Sequence, residues 1–179
     1  MKDEYLDIVD ENDVPTGEKR LRSEVHSQGL WHRTVHIYLF REVGGEVQML
    51  VHLRSPQKDS YPNCWDVRFG GHLKAGENWE EAVRDELGEE IGLRVDQKDF
   101  MEGNMYRYEH GKDREFSKSY YYRFDGDVTS LKFNDGEVQK IKWMSLDDIQ
   151  KSLRSDPDNW TTTPDYFKKI SDFLTTRLA

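Results

Sequence analysis

Seven carboxylates crowd the stretch from Gly70 to Leu93, and Arg84 is the one cation that stands between them. They are Glu77, Glu80, Glu81, Asp85, Glu86, Glu89 and Glu90. Glu86, Glu89 and Glu90 are spaced i, i+3 and i+4, so on a helix their side chains project together from one face. Each like-charged pair at such a spacing destabilises a helix by roughly 0.2–0.5 kcal/mol. Helix stability alone would therefore not select this sequence.

The glycines before this helix favour a cation site over a merely acidic surface. Gly70-Gly71 lets backbone carbonyls turn towards the carboxylates, and Gly76 permits a tight return of the chain. Carboxylate and carbonyl oxygens suit Mg²⁺ and Mn²⁺, and the metal charge would remove the repulsion. On the helix alone, a solvated acidic face explains the residues equally well. With the loop included, the predicted metal ligands are the Gly70 carbonyl, Glu86, Glu89 and Glu90.

The helix itself, predicted from about Asn78 to Ile91, has clear start and stop signals. Asn78 followed by Glu81 three residues later forms a capping pattern. Gly92 suits the left-handed residue that closes a helix. The apolar stripe expected to pack on a sheet consists of Ala82, Val83 and Leu87.

Together these positions resemble the Nudix box, a loop, helix and loop that bind divalent cations and a diphosphate. The matching residues are Gly71, Glu77, Glu86, Leu87, Glu89, Glu90, Gly92 and Leu93. The resemblance implies hydrolysis of a diphosphate linkage in a small metabolite, such as a nucleoside diphosphate derivative, with Mg²⁺ or Mn²⁺ as cofactor. It departs at Asp85, where the box has arginine. Arg84 lies about 100° round the helix and cannot simply replace that arginine.

In such a hydrolysis water attacks phosphorus, and a carboxylate accepts a proton. Beside the metal-binding glutamates, Glu77 or Glu86 in the box can serve as this base. Glu137 is a further candidate, because a glutamate after the later strands often fills this role in the family. We also expect a phosphate contact from at least one of Arg54, Lys58 and Arg68, with Arg54 favoured because guanidinium binds in bidentate fashion. A role in solubility is the alternative for these cations.

The resemblance extends from about Tyr5 to Trp143 and is to the branch related to isopentenyl-diphosphate isomerase. The segments that carry it are LDIVDEN, EVHSQGLWHR, LRSPQKDSYPNCWDV and GEVQKIKWMS. Isomerisation of a prenyl diphosphate is therefore an alternative function. The isomerases use a cysteine where this chain has Gly70, and a glutamate pair where Ser117 and Ser119 align. Because these acid-base groups are absent, hydrolysis ranks first.

Three histidines add a further possibility from the same resemblance. The isomerases bind a metal through three histidines, and His26, His32 and His72 fall near the matching places. A second metal site is the minority hypothesis here, since single histidines are more often structural. A third function class is a Nudix-fold module that binds a ligand without converting it. The intact glutamates argue against such a module, whereas Asp85 leaves it open.

The remaining segments predict strands mixed with helices. Strands are predicted at YLDIVD, TVHIYLF, VQMLVHL, CWDVRF, NMYRYE, SYYYRF and VQKIKWM, with a polar loop, HGKDRE, before SYYYRF. Gly44-Gly45 suits a hairpin turn, and Ser145 and Thr163-Pro164 open two further helices. Because no regular βαβ alternation is present, the predicted fold is α+β, a Nudix-type α/β/α sandwich with a mixed, largely antiparallel sheet.

The bulk properties set outer limits on the function. The length predicts a single domain, 1–179, with an N-terminal strand or hairpin at about 4–30, a core at about 31–153 and a C-terminal helix at about 163–177. A net charge of -9 argues against binding a nucleic acid polymer. No segment predicts a secretory signal or a membrane span, so we expect a cytoplasmic protein with a small diphosphate-containing substrate as its partner. Cys64, the only cysteine, excludes an internal disulfide. The sequence does not specify the oligomeric state.

Overall fold

A mixed β-sheet lies at the centre of the fold in the computed structural model, which describes residues 4–58, 60–133, 136 and 138–179. In chain order the elements are β1 (Tyr5–Val9), β2 (Pro15–Leu21), α1 (Arg22–Gln28), β3 (His32–Val43), β4 (Glu46–Arg54), β5 (Trp65–Asp66), α2 (Trp79–Ile91), β6 (Phe100–His110), β7 (Asp113–Arg123), β8 (Val138–Ser145), α3 (Leu146–Ser155) and α4 (Pro164–Leu178). Short 3₁₀ turns lie at Gln97–Asp99, Val128–Ser130 and Pro157–Asn159.

The sheet has six strands, of which five follow the order β5-β4-β3-β7-β6, and β8 also pairs with β4. Only β3 and β7 run parallel among the described strands, whereas every other described pair is antiparallel. The strands β1 and β2 form a separate hairpin. This arrangement confirms the predicted α+β class with a mixed, largely antiparallel sheet.

Alternation along β3 divides the core into two layers. Val35, Ile37 and Leu39 face one side, where α2 covers them. Tyr38 and Phe40 face the other side, beneath α3 and α4. The predicted apolar stripe of α2 is buried at Ala82, Val83 and Leu87, and α4 buries Phe167, Ile170 and Leu174. The helices therefore cover both faces of the sheet, as the predicted sandwich requires.

The helix ends follow the predicted capping chemistry. The Asn78 side chain accepts hydrogen bonds from the backbone N–H groups of Glu80 and Glu81, and Gly92 closes α2 with a left-handed φ of 67°. The Ser145 hydroxyl caps α3. Thr163 caps α4, whose first residue is Pro164. These four signals fixed the helix positions correctly from sequence alone.

The predicted polar loop HGKDRE is wrong, because most of it belongs to strands. The strand β6 continues to His110 and β7 begins at Asp113, so Gly111-Lys112 alone forms the turn. Cross-strand pairing explains the difference: the Arg114 guanidinium lies 3.1 Å from the Glu109 carboxylate. Charged residues that look like a loop in isolation are thus stabilised as strand by their partners.

One element, α1, was not predicted, another, β2, was expected only as part of an alternative hairpin, and a third was predicted too long. The seven-residue helix α1 buries only Val25, which is too little for a periodic apolar pattern. The strand β2 is almost wholly exposed. In CWDVRF only Trp65 and Asp66 form a regular strand. Among the described residues, no helix is long and apolar enough to cross a membrane.

The buried His52 and the partly buried His36 make the stability of this fold depend on pH. Burial lowers the pKa of His52 to about 4 and that of His36 to about 3. In the unfolded chain an imidazole has its ordinary pKa of about 6.5. The unfolded state therefore binds more protons below that pH, and the free energy of unfolding falls as the pH drops towards about 4.

We expect His52→Gln to make this pH dependence shallower. Near pH 5 the variant loses the uptake of about one proton on unfolding, so the slope of unfolding free energy against pH decreases by about 1.4 kcal/mol per pH unit. Urea unfolding at several pH values measures the slope. His110→Gln, at the exposed last residue of β6, is the control. An unchanged slope in His52→Gln would contradict a lowered pKa of His52 in the folded protein.

Candidate active site

A cleft of about 850 Å³ opens where the loop after β5 meets α2. Its lining includes the box residues Gly70, Gly71, Glu77, Asp85, Glu86, Glu89 and Glu90. The cations Arg22, Arg54, Lys58 and Lys74 line the same space, together with His72. The structure thus places the predicted metal-binding glutamates and two of the three predicted phosphate-binding cations on one surface.

The N-terminal hairpin holds the box loop against the sheet. The Ala75 N–H donates to the Tyr5 carbonyl at 2.7 Å, and the Gly76 N–H donates to the Asp7 carboxylate at 2.7 Å. An isolated β-bridge joins Leu6 to Lys74. The loop backbone is therefore fixed at three successive residues, 74, 75 and 76.

Two glycines allow the carboxylates to reach this loop. A Cβ atom on Gly71 would lie 2.7 Å from Glu86 Oε2 and 2.9 Å from its Oε1, so the carboxylate takes the place of a side chain. Gly70 has a φ of +121°, and a Cβ there would lie 2.2 Å from the Val35 carbonyl oxygen. The Gly70 N–H donates to Glu90 Oε2 at 3.0 Å. Neither position accepts a larger residue without displacing its neighbours.

The glutamates differ in their surroundings. Glu90 is buried, with 8% of its surface exposed, whereas the Glu89 side chain is 62% exposed. Glu77 is partly buried and accepts a hydrogen bond from the Lys74 N–H at 2.9 Å. Burial raises the pKa of Glu77, and the charges of Asp85 and Glu89 raise it further, against the lowering effect of Lys74. A carboxylate with a raised pKa is a better proton acceptor than an ordinary surface glutamate.

The predicted phosphate-binding cations separate into two groups. Arg54 and Lys58 line the cleft. Arg54 donates to the Ser60 carbonyl at 3.0 Å, and its buried Nε has no partner within the described part of the chain. Arg68 does not line the cleft. Its Nε donates to Asp66 at 3.2 Å and its Nη2 to Thr161 at 3.4 Å, whereas Arg54 reaches the same Asp66 carboxylate from the cleft side at 3.7 Å. The predicted phosphate contact from Arg68 thus has no support from its position.

Arg68 forms an ion pair with the buried Asp66 of β5 and a hydrogen bond with Thr161 in the segment before α4. Burial raises the pKa of Asp66, but the charge of Arg68 and its hydrogen bonds outweigh this effect and lower the pKa to about 2. The sequence predicted Arg68 beside the box because it lies only two residues before Gly70 along the chain. The side chain lies instead near Tyr38 of β3 and Tyr166 of α4, on the other face of the sheet.

The three histidines converge next to the cleft. One nitrogen from each of His26, His32 and His72 lies within 4.8 Å of the others, and the Nε2 atoms of His26 and His72 are 3.1 Å apart. Burial lowers the pKa of all three rings, which favours their neutral, metal-ligating form. His72 follows Gly71 directly, and it connects this cluster to the box loop.

Several residues at the site were not singled out from sequence. Lys74 donates from its Nζ to Glu89 at 3.0 Å. Glu115 pairs with His32 in the parallel register of β3 and β7, and burial raises its pKa. Lys74 stood within the acidic stretch itself, whereas no local signal connects Glu115 to His32. The candidate base Glu137 lies outside the described residues, and Cys64 contacts the Asp158 carbonyl away from the cleft.

A model of the NUDIX domain matches residues 30–166. The chain belongs to the Nudix hydrolase family. An uncharacterised Nudix hydrolase of Clostridium acetobutylicum is 34% identical over 157 residues, which cover 86% of this chain and 75% of that protein. An isopentenyl-diphosphate Delta-isomerase of Aliivibrio fischeri is 28% identical over 176 residues, 96% of this chain and 97% of the isomerase. The recognition of the family and of its isomerase-related branch from sequence is confirmed.

The fold has close counterparts among solved structures. The crystal structure of DR0079 from Deinococcus radiodurans superposes with a TM-score of 0.75 at 24% identity, covering 95% of this chain and 99% of that one. At this identity the likeness shows the fold alone. The assignment of chemistry to the cleft therefore depends on the residues that line it.

We expect Gly71→Ala to weaken Mn²⁺ binding by about 10- to 100-fold, because the added Cβ displaces the Glu86 carboxylate. Mn²⁺ titration followed by electron paramagnetic resonance measures the affinity. Gly88→Ala is the matched control on α2, where a Cβ meets nothing within 4 Å. It should keep Mn²⁺ affinity and raise the free energy of unfolding by about 0.5–1 kcal/mol. Wild-type affinity in Gly71→Ala would contradict the proposed position of Glu86.

Proposed function

We propose that this protein is a divalent-metal-dependent hydrolase that cleaves a diphosphate linkage in a small metabolite, such as a nucleoside diphosphate derivative. One observation carries the proposal: the box glutamates and the cations Arg54 and Lys58 line the same cleft. Carboxylates hold metal ions, and cations beside them hold phosphate oxygens. A surface that can bind both a metal ion and phosphate oxygens suits a diphosphate in complex with a metal ion.

The donor chemistry of the box fits Mg²⁺ or Mn²⁺, although among the described residues only the three histidines, and not Glu86, Glu89 and Glu90, have their ligand atoms within 4.8 Å of one another. The Glu86 carboxylate lies in the space that Gly71 leaves free, and Glu90 reaches the Gly70 N–H. All-oxygen ligands are those that these cations prefer. The proposed ligands are Glu86, Glu89, Glu90 and the Gly70 carbonyl; the Gly71 carbonyl instead accepts a hydrogen bond from Val35 at 2.9 Å. When bound, the cation neutralises the diphosphate charge and acidifies coordinated water.

The protein's own residues supply binding and proton transfer. Arg54 and Lys58 bind diphosphate oxygens, and the Arg54 Nε is a buried donor near the cleft without a partner among the described residues. Glu77 accepts the proton of the attacking water, because its partial burial raises its pKa. The Lys74 N–H and the fixed loop orient this carboxylate. Glu86 and Glu137 are the other candidates for the base.

Isomerisation of a prenyl diphosphate is disfavoured by the geometry at Gly70. A side chain there would meet the Val35 carbonyl at 2.2 Å, so the cysteine of the isomerases has no room. Ser117 and Ser119, at the positions aligned with the isomerase glutamates, are buried hydroxyls that do not ionise at pH 7. Both observations support hydrolysis over isomerisation for this chain.

Glu89→Gln should lower turnover by roughly 100-fold or more, because it removes a charged ligand from the metal site. A panel of nucleoside diphosphate sugars, ADP-ribose, dinucleoside polyphosphates and isopentenyl diphosphate, each with Mg²⁺ or Mn²⁺, identifies the substrate by chromatography of the products. Glu80→Gln, on the same helix but outside the cleft lining, is the control. Catalytic formation of dimethylallyl diphosphate, without hydrolysis of any other compound, would overturn the proposal.

We further infer a second metal site at His26, His32 and His72. Its support is the orientation of His32: the ring Nδ1 lies 3.0 Å from the Leu30 carbonyl and so carries the proton, which leaves the Nε2 lone pair for a metal. That Nε2 is buried and has no hydrogen-bond partner in the described ranges. The spacing of 3.1 Å between the His26 and His72 nitrogens is close to the roughly 3.3 Å expected for two imidazoles on a tetrahedral Zn²⁺. Glu115 neighbours His32 in the sheet, but its carboxylate accepts a hydrogen bond from Ser117 at 3.1 Å and is not part of the histidine cluster.

Titration with Co²⁺, which reports tetrahedral nitrogen ligation by its visible absorption, tests the histidine site. We expect a stoichiometric visible band that His32→Gln abolishes and Glu89→Gln retains, because the two proposed sites use different ligands. His110→Gln, at an exposed position, should bind Co²⁺ as the wild type does. A band that survives in His32→Gln, or that disappears in Glu89→Gln, would contradict a separate histidine site.

A further inference from the structure

The helix α2 has an acidic residue, Asp85, where the family has arginine, so the positive charge of the box must come from elsewhere. Arg84 does not supply it. Its Nε lies 3.5 Å from the Asp85 carboxylate, and both side chains are well exposed. Arg84 also lines a different surface depression, formed with Glu80, Glu81 and Lys98. Its charge is therefore directed away from the cleft.

Lys74 is the cation that reaches the box carboxylates. Its Nζ donates to Glu89 Oε1 at 3.0 Å, while its backbone N–H donates to Glu77 Oε2 at 2.9 Å. Burial lowers the pKa of Lys74, but the hydrogen bond to Glu89 and the charges of Glu89, Glu86 and Glu77 outweigh this effect and raise it. One residue thus contacts carboxylates from both ends of the box, one on the loop and one on the helix.

The backbone that carries Lys74 is held rigidly enough for this task. Lys74 forms a β-bridge with Leu6, the next residue bonds to the Tyr5 carbonyl, and the Glu77 N–H donates to the Lys74 carbonyl at 3.0 Å. The side chain spans from this fixed loop to α2 and is only 33% exposed. It therefore crosses the mouth of the cleft between the two elements that supply the carboxylates.

We propose that Lys74 is a positioning residue that replaces the box arginine, by holding Glu89 and compensating the charges of Glu77, Asp85 and Glu86. The inference rests on the proposed hydrolase function for its effect on turnover. Its effect on the metal-free protein is independent of that function. Moving the cation from the helix to the loop explains how the box tolerates Asp85.

A first experiment uses the metal-free protein and no substrate. Thermal unfolding in EDTA is measured for the wild type, Lys74→Met, Asp85→Arg and the double variant. We expect Lys74→Met to lower the melting temperature by about 2–4 °C, and Asp85→Arg to raise it more in the Lys74→Met background than in the wild type. Lys98→Met, at an exposed lysine outside the cleft lining, is the control. Equal effects of Asp85→Arg in both backgrounds would overturn the proposal.

A second experiment measures kcat and KM on a substrate found in the panel. Lys74→Met should lower kcat by about 10- to 100-fold with little change in KM, and Asp85→Arg should restore most of the loss. A rise in KM that Asp85→Arg does not correct would instead identify Lys74 as a phosphate ligand and overturn the positioning role. If the wild type hydrolyses no member of the panel while the unfolding experiment shows the expected coupling, the hydrolase proposal fails and the charge-compensating role of Lys74 stands.

Discussion

Mutual repulsion among the box carboxylates is the constraint around which this site is built. Four acidic side chains, at Glu77, Asp85, Glu86 and Glu89, line one cleft together with Glu90. Partial burial strengthens their repulsion, because water screens it less. The fold opposes this repulsion through fixed partners: the Gly70 N–H donates to Glu90 and the Lys74 N–H to Glu77. Glu90 and Glu77 are thereby held in place in the metal-free protein.

The N-terminal hairpin helps to hold the box loop against the repulsion among the carboxylates. The strand β2 is exposed along most of its length and adds little to the main core. However, β1 contacts the box loop through Tyr5, Leu6 and Asp7. A loop that carries several glycines would otherwise have wide conformational freedom. The hairpin therefore restricts the loop to the conformation that brings it within hydrogen-bonding distance of the carboxylates.

Local signals explain why much of the fold and of the box could be predicted from the sequence. Each of the caps Asn78 and Ser145 acts on its own helix, and the i, i+3, i+4 glutamates all lie on α2. Spacing along the chain alone therefore specifies their geometry. Non-local contacts explain the failures. Arg68 is close to the box in sequence, but Asp66 and the segment before α4 direct its side chain elsewhere. Likewise, the pairing of His32 with Glu115 depends on the register of two parallel strands that are far apart in sequence.

The charge distribution shows how an acidic protein can bind the proposed anionic substrate. The net charge of -9 would repel a diphosphate at long range, although salt at physiological strength screens such interactions beyond about 8 Å. Near the cleft the balance differs, because Arg22, Arg54, Lys58 and Lys74 surround the carboxylates. A bound divalent cation would neutralise two further negative charges there. For the proposed diphosphate substrate, the local field would consequently depend on the metal and these four cations. The acidic exterior is unfavourable for a large polyanion that extends well beyond the cleft.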